Sequence, residues 1–121
     1  MKMKWLVAAC LAAAPTAAAA MDVGTFLAKA DALRKKGVLA LWSDDYGLLK
    51  GEVVQATQAL RLEQASARKS GRKPAFCAPE SARLQRDEIL SHFRSIPKAQ
   101  QARTQVKDAL RGLLARKHPC R

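Results

Sequence analysis

The segment PKAQQARTQVKDALRGLLARKHPC, residues 97–120, decides the fold because it predicts an amphipathic helix followed by a cysteine. Pro97 suits the start of a helix, and Arg116 and Lys117 suit its C-terminal end. Pro119 then stops it. The residues of its apolar stripe recur at helical spacing: Ala102, Val106, Ala109, Leu110, Leu113 and Leu114. We therefore expect one helix from about Lys98 to Arg116.

Cys120 follows this helix, and Cys77 is the second cysteine outside the N-terminal segment. In an oxidising compartment, an even pair in a small domain predicts a disulfide. Between the two cysteines lies a second helix, expected from about Gln85 to Ser95, with acidic residues in its first turn. The bond would close the final helical pair at its open end and contribute about 4 kcal/mol in the chain-entropy estimate.

The chain before Cys77 also has helical periodicity. Thr25 is the expected N-cap of a first helix that ends near Lys36, before Gly37. A long helix, capped by residues 43–45, should run to about Arg68 or Lys69. Gly47 and Gly51 could let another helix approach it closely. Its apolar stripe misses one slot near residues 63–64 and consists of Tyr46, Leu49, Val53, Ala56, Leu60 and Ala67. The short apolar run 38–42 is expected to be a brief inward-packing helix or turn, and periodicity leaves a strand open. The fold class is thus all-α, a small bundle of about four helices.

The first twenty residues resemble a secretory signal. Lys2 and Lys4 give a charged start, Trp5–Ala14 form an apolar stretch, and Ala17–Ala20 offer small residues for cleavage. We expect cleavage after Ala20, a helical domain over residues 21–121, and a periplasmic or secreted location. The alternatives are an attached Ala-rich helix, or lipidation at Cys10. The apolar stretch is too short to span a bilayer, and no transmembrane segment is expected in the mature chain.

The charge is strongly basic. The whole chain has a formal net charge of +12, and because Lys2 and Lys4 lie in the expected signal, residues 21–121 keep +10. An exported protein rarely meets nucleic acid, so the expected acidic partners are a protein face, anionic lipid headgroups or cell-wall polymers. The alternative is a basic surface that serves solubility alone.

No motif for catalysis, metal binding or cofactor binding occurs, so we expect neither an enzyme nor a cofactor. The acidic pairs Asp44-Asp45 and Asp87-Glu88 are better explained by helix capping and the helix dipole. His92 has no positioned acid or nucleophile in sequence, and His118 is expected to interact with the end of the last helix.

The loop before Cys77 is the candidate partner-binding segment. Arg72, Lys73 and Phe76 place two cations and an aromatic ring beside the expected disulfide. Arginine and aromatic residues often dominate interfaces. The alternative is that Phe76 turns into the core and that the cations are simply solvated.

The C-terminal pattern resembles the Rap/Tai family of periplasmic immunity proteins. The residues that carry the resemblance are Phe76-Cys77-x-Pro79, Ile89-Leu90, Phe93, Pro97, Leu113-Leu114 and His118-Pro119-Cys120. It implies a helical, often dimeric protein that binds and blocks a toxin delivered by type VI secretion, such as a peptidoglycan amidase. Cys77 and Cys120 match the family's disulfide. The family's toxin-contacting loop has no matching motif here.

Two functions remain open at the level of sequence. The first is an immunity-like inhibitor that occludes the site of one enzyme, for which a rigid, disulfide-closed scaffold is suited. The second is a general periplasmic stress or chaperone-like protein, whose partners would be unfolded chains.

Overall fold

The computed structural model describes residues 20–121 and contains five α-helices and one 3₁₀ helix. The helices are α1 (Val23–Lys36), the 3₁₀ helix (Gly37–Trp42), α2 (Asp44–Lys69), α3 (Arg86–Ser95), α4 (Lys98–Gln101) and α5 (Val106–Lys117). Within the described residues no strand forms apart from an isolated bridge between Asp22 and Gln105. The all-α prediction is confirmed. The expected signal and the lipidation alternative at Cys10 fall on residues outside the description, apart from Ala20.

The core lies between α1, α2 and α5, and α3 packs against α1 and α5. Phe26 on α1 and Phe93 on α3 pack edge to face, with ring centroids 5.2 Å apart. The buried apolar residues of the helices around them are Val23, Leu27, Leu33, Leu49, Ala56, Leu60, Ile89, Val106, Ala109, Leu110, Leu113 and Leu114. The stripe predicted for α5 is therefore the core face of that helix, except at its first member.

α1 begins earlier than predicted because its N-cap is Asp22 and not Thr25. The Asp22 carboxylate accepts hydrogen bonds from the backbone N–H of Thr25, at 2.8 Å, and from its hydroxyl, also at 2.8 Å. Thr25 lies one turn inside the helix and donates to the cap. Hydrogen bonding to the Thr25 backbone is also the main cause that lowers the pKa of Asp22.

The predicted single helix from Lys98 to Arg116 is wrong, because the chain breaks between α4 and α5. Backbone hydrogen bonds join this break to the start of α1: Val23 N–H donates to the Thr104 carbonyl at 2.8 Å, and Val106 N–H donates to the Met21 carbonyl at 2.9 Å. These partners come from the other end of the chain. Ala102, predicted in the apolar stripe, lies at the break and is exposed.

The run 38–42 forms the short helix that was expected, but the prediction that it packs inward is wrong. Its four largest side chains are between 63 and 87% exposed. A 3₁₀ helix has about three residues per turn, so its side chains align in three columns. Ala40 is half-buried against the core. The column formed by Val38 and Leu41 and the column formed by Leu39 and Trp42 face outward.

α2 begins and ends as predicted. The Ser43 hydroxyl accepts a hydrogen bond from Asp45 N–H at the N-terminus, and Ser70 and Gly71 follow the last turn. Gly71 has a φ of 74°, a left-handed conformation that glycine adopts without strain. The slot missing from the apolar stripe of α2 is occupied by Glu63, whose carboxylate binds Arg111 on α5 at 3.0 Å.

An irregular strap, residues 71–85, crosses from α2 to α3 and is held at several points. The Gln64 side chain exchanges two hydrogen bonds of 3.0 Å with the backbone of Ala78. Cys77 forms the predicted disulfide with Cys120, their Cα atoms being 4.9 Å apart. The Cys77 N–H also donates to the His118 carbonyl at 2.8 Å. The last helices are therefore joined to the strap both covalently and by backbone.

None of the helices in residues 20–121 has both the length and the apolar character needed to cross a bilayer.

Candidate interaction surface

The exposed large apolar side chains of the described chain are confined to one stretch of sequence. They are Val38, Leu39, Leu41, Trp42, Leu48, Val54 and Leu62, all within residues 38–62. Single exposed apolar residues are ordinary, but a group of this kind on a small protein indicates an interaction surface. The stretch has two parts, which lie on different secondary-structure elements.

The first part is the apolar turn, which we define as Gly37–Trp42. Trp42 is 87% exposed and Val38 is 82% exposed, so both side chains are almost fully in water. The three residues before the turn are the cations Arg34, Lys35 and Lys36, which are also exposed. A positive cluster thus adjoins the apolar one directly along the chain.

The second part is the outer face of α2, opposite the face that packs in the core. Between its two ends, its exposed side chains are uncharged: Leu48, Val54, Gln55, Gln58, Leu62, Ala65 and Ser66. Asp44 at the N-terminal end and Lys69 at the C-terminal end are exposed on the same face. Lys50 and Arg61 lie along one edge of this face. Gly47 and Gly51 leave it open, because a Cβ atom built at either position would meet nothing within 4 Å. Their expected use in a close helix approach does not occur within the described chain.

A broad open groove, with a volume of about 1330 Å³, runs between α2 and the strap. Arg61, Arg68 and Arg83 border it, and its lining includes Val54 and Phe76. Arg61 donates to the carbonyls of the strap residues Glu80 and Ala82, at 3.2 and 3.1 Å. Its guanidinium therefore holds the groove's wall in place, while Arg68 forms no ion pair with any described residue.

The structure contradicts the predicted partner-binding role at one of the three residues of the loop. Phe76 is only 2% exposed, so its ring belongs to the core and cannot be presented to a partner. The cause is its position beside Cys77, which the disulfide draws against the end of α5. Arg72 and Lys73 are exposed, as they must be if they bind a partner, and their role stays a prediction.

The structure brings these two cations to one edge of the outer face of α2, beside Leu62. A shallow depression of about 570 Å³ at this edge is lined by Leu62, Arg72, Lys73 and Pro74, together with further residues of α2 that include Glu63. Arg72 is oriented by a 2.9 Å hydrogen bond from its Nε to the Ser70 hydroxyl. An apolar side chain and two cations thus meet at the C-terminal part of this face.

Ionisable groups elsewhere have structural partners. The Arg111 and Lys107 side chains lower the pKa of Glu63 by hydrogen bonding, and the Lys117 ammonium does the same for Glu88, which also caps α3. Burial, followed by the nearby charge of Arg116, lowers the pKa of His92. The described residues contain no group of three or more potential metal ligands.

Sequence reasoning missed both parts of the apolar surface. The signal for the outer face of α2 was present, since Leu48, Val54 and Leu62 fall off the stripe that predicts the core. The signal for the turn was weaker, because the sequence of a five-residue apolar run does not indicate which side chains face the solvent until its 3₁₀ geometry is known.

No protein-family model, curated protein or solved structure matches this chain.

Proposed function

We propose that this chain is an exported, non-catalytic binding protein that contacts a partner protein through the outer face of α2 and the adjoining cations Arg72 and Lys73. The observation that carries the proposal is the outer face of a 26-residue helix in a strongly basic chain, because between Asp44 and Lys69 at its ends this face presents exposed apolar and uncharged side chains, with cations only along one edge. Water-exposed leucine and valine at 45–71% exposure gain free energy when a partner covers them. Cations at the rim favour an acidic partner and faster association.

The finer proposal is that the partner is a periplasmic toxin, for example a peptidoglycan amidase delivered by type VI secretion, and that binding occludes its active site. The resemblance to Rap/Tai proteins supports this, as does a scaffold closed by a disulfide, because a preorganised surface loses less entropy on binding.

Export is part of the same proposal. At the residue that directly follows the expected cleavage position, Met21 N–H donates to the Glu52 carboxylate at 3.2 Å. Cleavage after Ala20 would convert this N–H into an ammonium group and strengthen the contact. Identification of Met21 as the first residue of protein recovered from the periplasm, by mass spectrometry, would support the proposal.

The test is a pulldown from the periplasmic fraction with residues 21–121 as bait, followed by titration of the captured protein. We expect a 1:1 complex that Leu62→Ser combined with Lys73→Glu weakens by at least about tenfold. Leu41→Ser on the apolar turn is the matched control, since Leu41 and Leu62 are similarly exposed, at 63 and 71%. Equal binding by both variants would refute the proposed face.

The extent of exposed apolar surface also favours a second candidate, a chaperone-like protein that binds unfolded chains. It predicts that the purified domain suppresses the aggregation of several unrelated clients, and that reduction of the disulfide changes this activity. Capture of one folded partner, with no effect on aggregation, would exclude it.

A further inference from the structure

We propose that the segment Arg34–Trp42, with sequence RKKGVLALW, docks onto the surface of an anionic phospholipid bilayer. The segment joins the last turn of α1 to the apolar turn, and eight of its nine residues are exposed. It is separate from the outer face of α2, so the inference does not depend on the proposed function.

The shape of the apolar turn suits shallow insertion. Because its side chains align in three columns, Ala40 anchors one column to the core and the other two form a single outward ridge. The ridge consists of Val38, Leu39, Leu41 and Trp42. Tryptophan has an apolar body and one N–H donor, a combination that favours the interface between headgroups and acyl chains.

The charge beside the ridge is complementary to anionic headgroups. Arg34, Lys35 and Lys36 precede it, and residues 34–42 contain no carboxylate. The acidic residues of the adjoining elements are largely neutralised: Asp31 is 2.8 Å from Arg94, and Asp45 is 3.3 Å from Lys29. On α2, Asp44 at the start of the helix and Glu52 further along it form no ion pair within the described chain.

A bilayer fits this segment better than a protein does. A stable protein interface buries roughly 800 Å² on each partner, which is more than a ridge of four side chains supplies. Membrane docking needs less apolar area, because clustered cations add electrostatic attraction to anionic lipid. The long side chains of Lys35 and Lys36 can reach headgroups while the ridge enters the acyl boundary.

Trp42 makes the test direct, because the sequence has two tryptophans and the other, Trp5, lies in the expected signal. Residues 21–121 are titrated with vesicles of phosphatidylcholine alone and with vesicles that also contain phosphatidylglycerol. We expect a blue shift of Trp42 emission and protection from a soluble quencher only with phosphatidylglycerol. Added salt should weaken this binding.

Two variants separate the contribution of the cations from that of the ridge, and both retain Trp42 as the fluorescent probe. Neutralising both lysines, in Lys35→Gln/Lys36→Gln, should weaken binding to phosphatidylglycerol vesicles about 25-fold, since each cation contributes roughly fivefold. Leu39→Ser should weaken it about tenfold by removing part of the ridge. Leu62→Ser, on the outer face of α2, is the control and should bind as the parent chain does, and circular dichroism confirms that each variant is helical.

Three results would overturn the inference. One is an unchanged Trp42 emission with phosphatidylglycerol vesicles. Another is equal binding to both vesicle types, which would remove the role of the cations. The third is an equal spectral change with a soluble polyanion, which would show that charge alone, without a bilayer, accounts for the response.

Discussion

At the scale of single residues, Glu63 shows how a charged group can occupy a core position of a helix. Its carboxylate accepts hydrogen bonds from Arg111 Nε and Nη2 at 3.0–3.1 Å and lies 2.7 Å from Lys107 Nζ. These hydrogen bonds hold the pKa of Glu63 below its ordinary value of 4.5. A lowered carboxyl pKa stabilises the fold above that ordinary value, and the stabilisation is lost as the pH falls through the lowered pKa.

Glu63→Gln should therefore lower the free energy of unfolding by about 1 kcal/mol at pH 7, a modest effect because the carboxylate is 40% exposed. Urea unfolding at a series of pH values measures it. The difference between parent and variant should shrink as the pH falls from 4.5 through the lowered pKa, at which the folded parent protonates Glu63. A difference that stays constant to low pH would show that the carboxylate charge is not its origin.

His92 gives a pH dependence of the same direction as Glu63, but in a higher pH range. Burial and Arg116 hold its pKa below the ordinary 6.5, so the unfolded chain binds a proton more readily than the folded chain. The parent should lose stability as the pH falls from 6.5 through the lowered pKa. His92→Gln should reduce this loss. Proton NMR titration of the His92 ring checks the pKa directly, and a midpoint at or above 6.5 would contradict the prediction.

At the scale of elements, the N-cap residue of α1 also contacts the break between α4 and α5. Asp22 caps α1 and bridges Gln105, so one residue serves two elements. Asp22→Ala should cost about 1 kcal/mol, as loss of a helix cap does. Asp22→Asn, which keeps an oxygen acceptor, should cost clearly less. Thermal unfolding of the two variants decides this, and equal losses would indicate that capping is not the cause.

The elements that sequence predicts well are those whose signals are local. α2 and α3 have caps, periodic apolar residues and stop signals within their own segments, and both form within a residue or two of the predicted bounds. The break between α4 and α5 depends on hydrogen bonds to Met21 and Val23, at the start of α1 and far from the break in sequence. No periodicity within residues 98–116 contains that information, so a single helix was the natural prediction.

At the scale of the whole molecule, the candidate surface was predictable only in part. Arg72 and Lys73 were identified from composition, because exposed cations beside a cysteine are visible in sequence. Phe76 belongs to the same sequence pattern, but its burial depends on how the disulfide holds the strap against the end of α5. The apolar turn was assigned to the core because apolar runs usually lie there. Its exposure depends on how the whole molecule packs, because Ala40 is the one residue of the turn that packs against the core.

The disulfide should determine the stability of the whole molecule more than any other single feature. It joins residues separated by 43 positions, so it restricts the unfolded chain strongly. Cys77→Ser/Cys120→Ser should lose up to about 4 kcal/mol, a large share of the 5–15 kcal/mol typical of small proteins. Urea unfolding of the parent, the reduced parent and the double variant gives this loss.

The part of the molecule that loses protection distinguishes two effects of the disulfide, one on the unfolded chain and one on the folded structure. If the bond acted only on the unfolded chain, its loss would lower global stability and leave local protection in the folded state unchanged. Because Cys77 N–H also binds the His118 carbonyl, and because Phe76 is buried beside it, we expect local loosening as well. Hydrogen exchange of the double variant should be faster in the strap and the last turn of α5 than in α2. Uniform acceleration throughout the chain would instead assign the whole effect to the unfolded state.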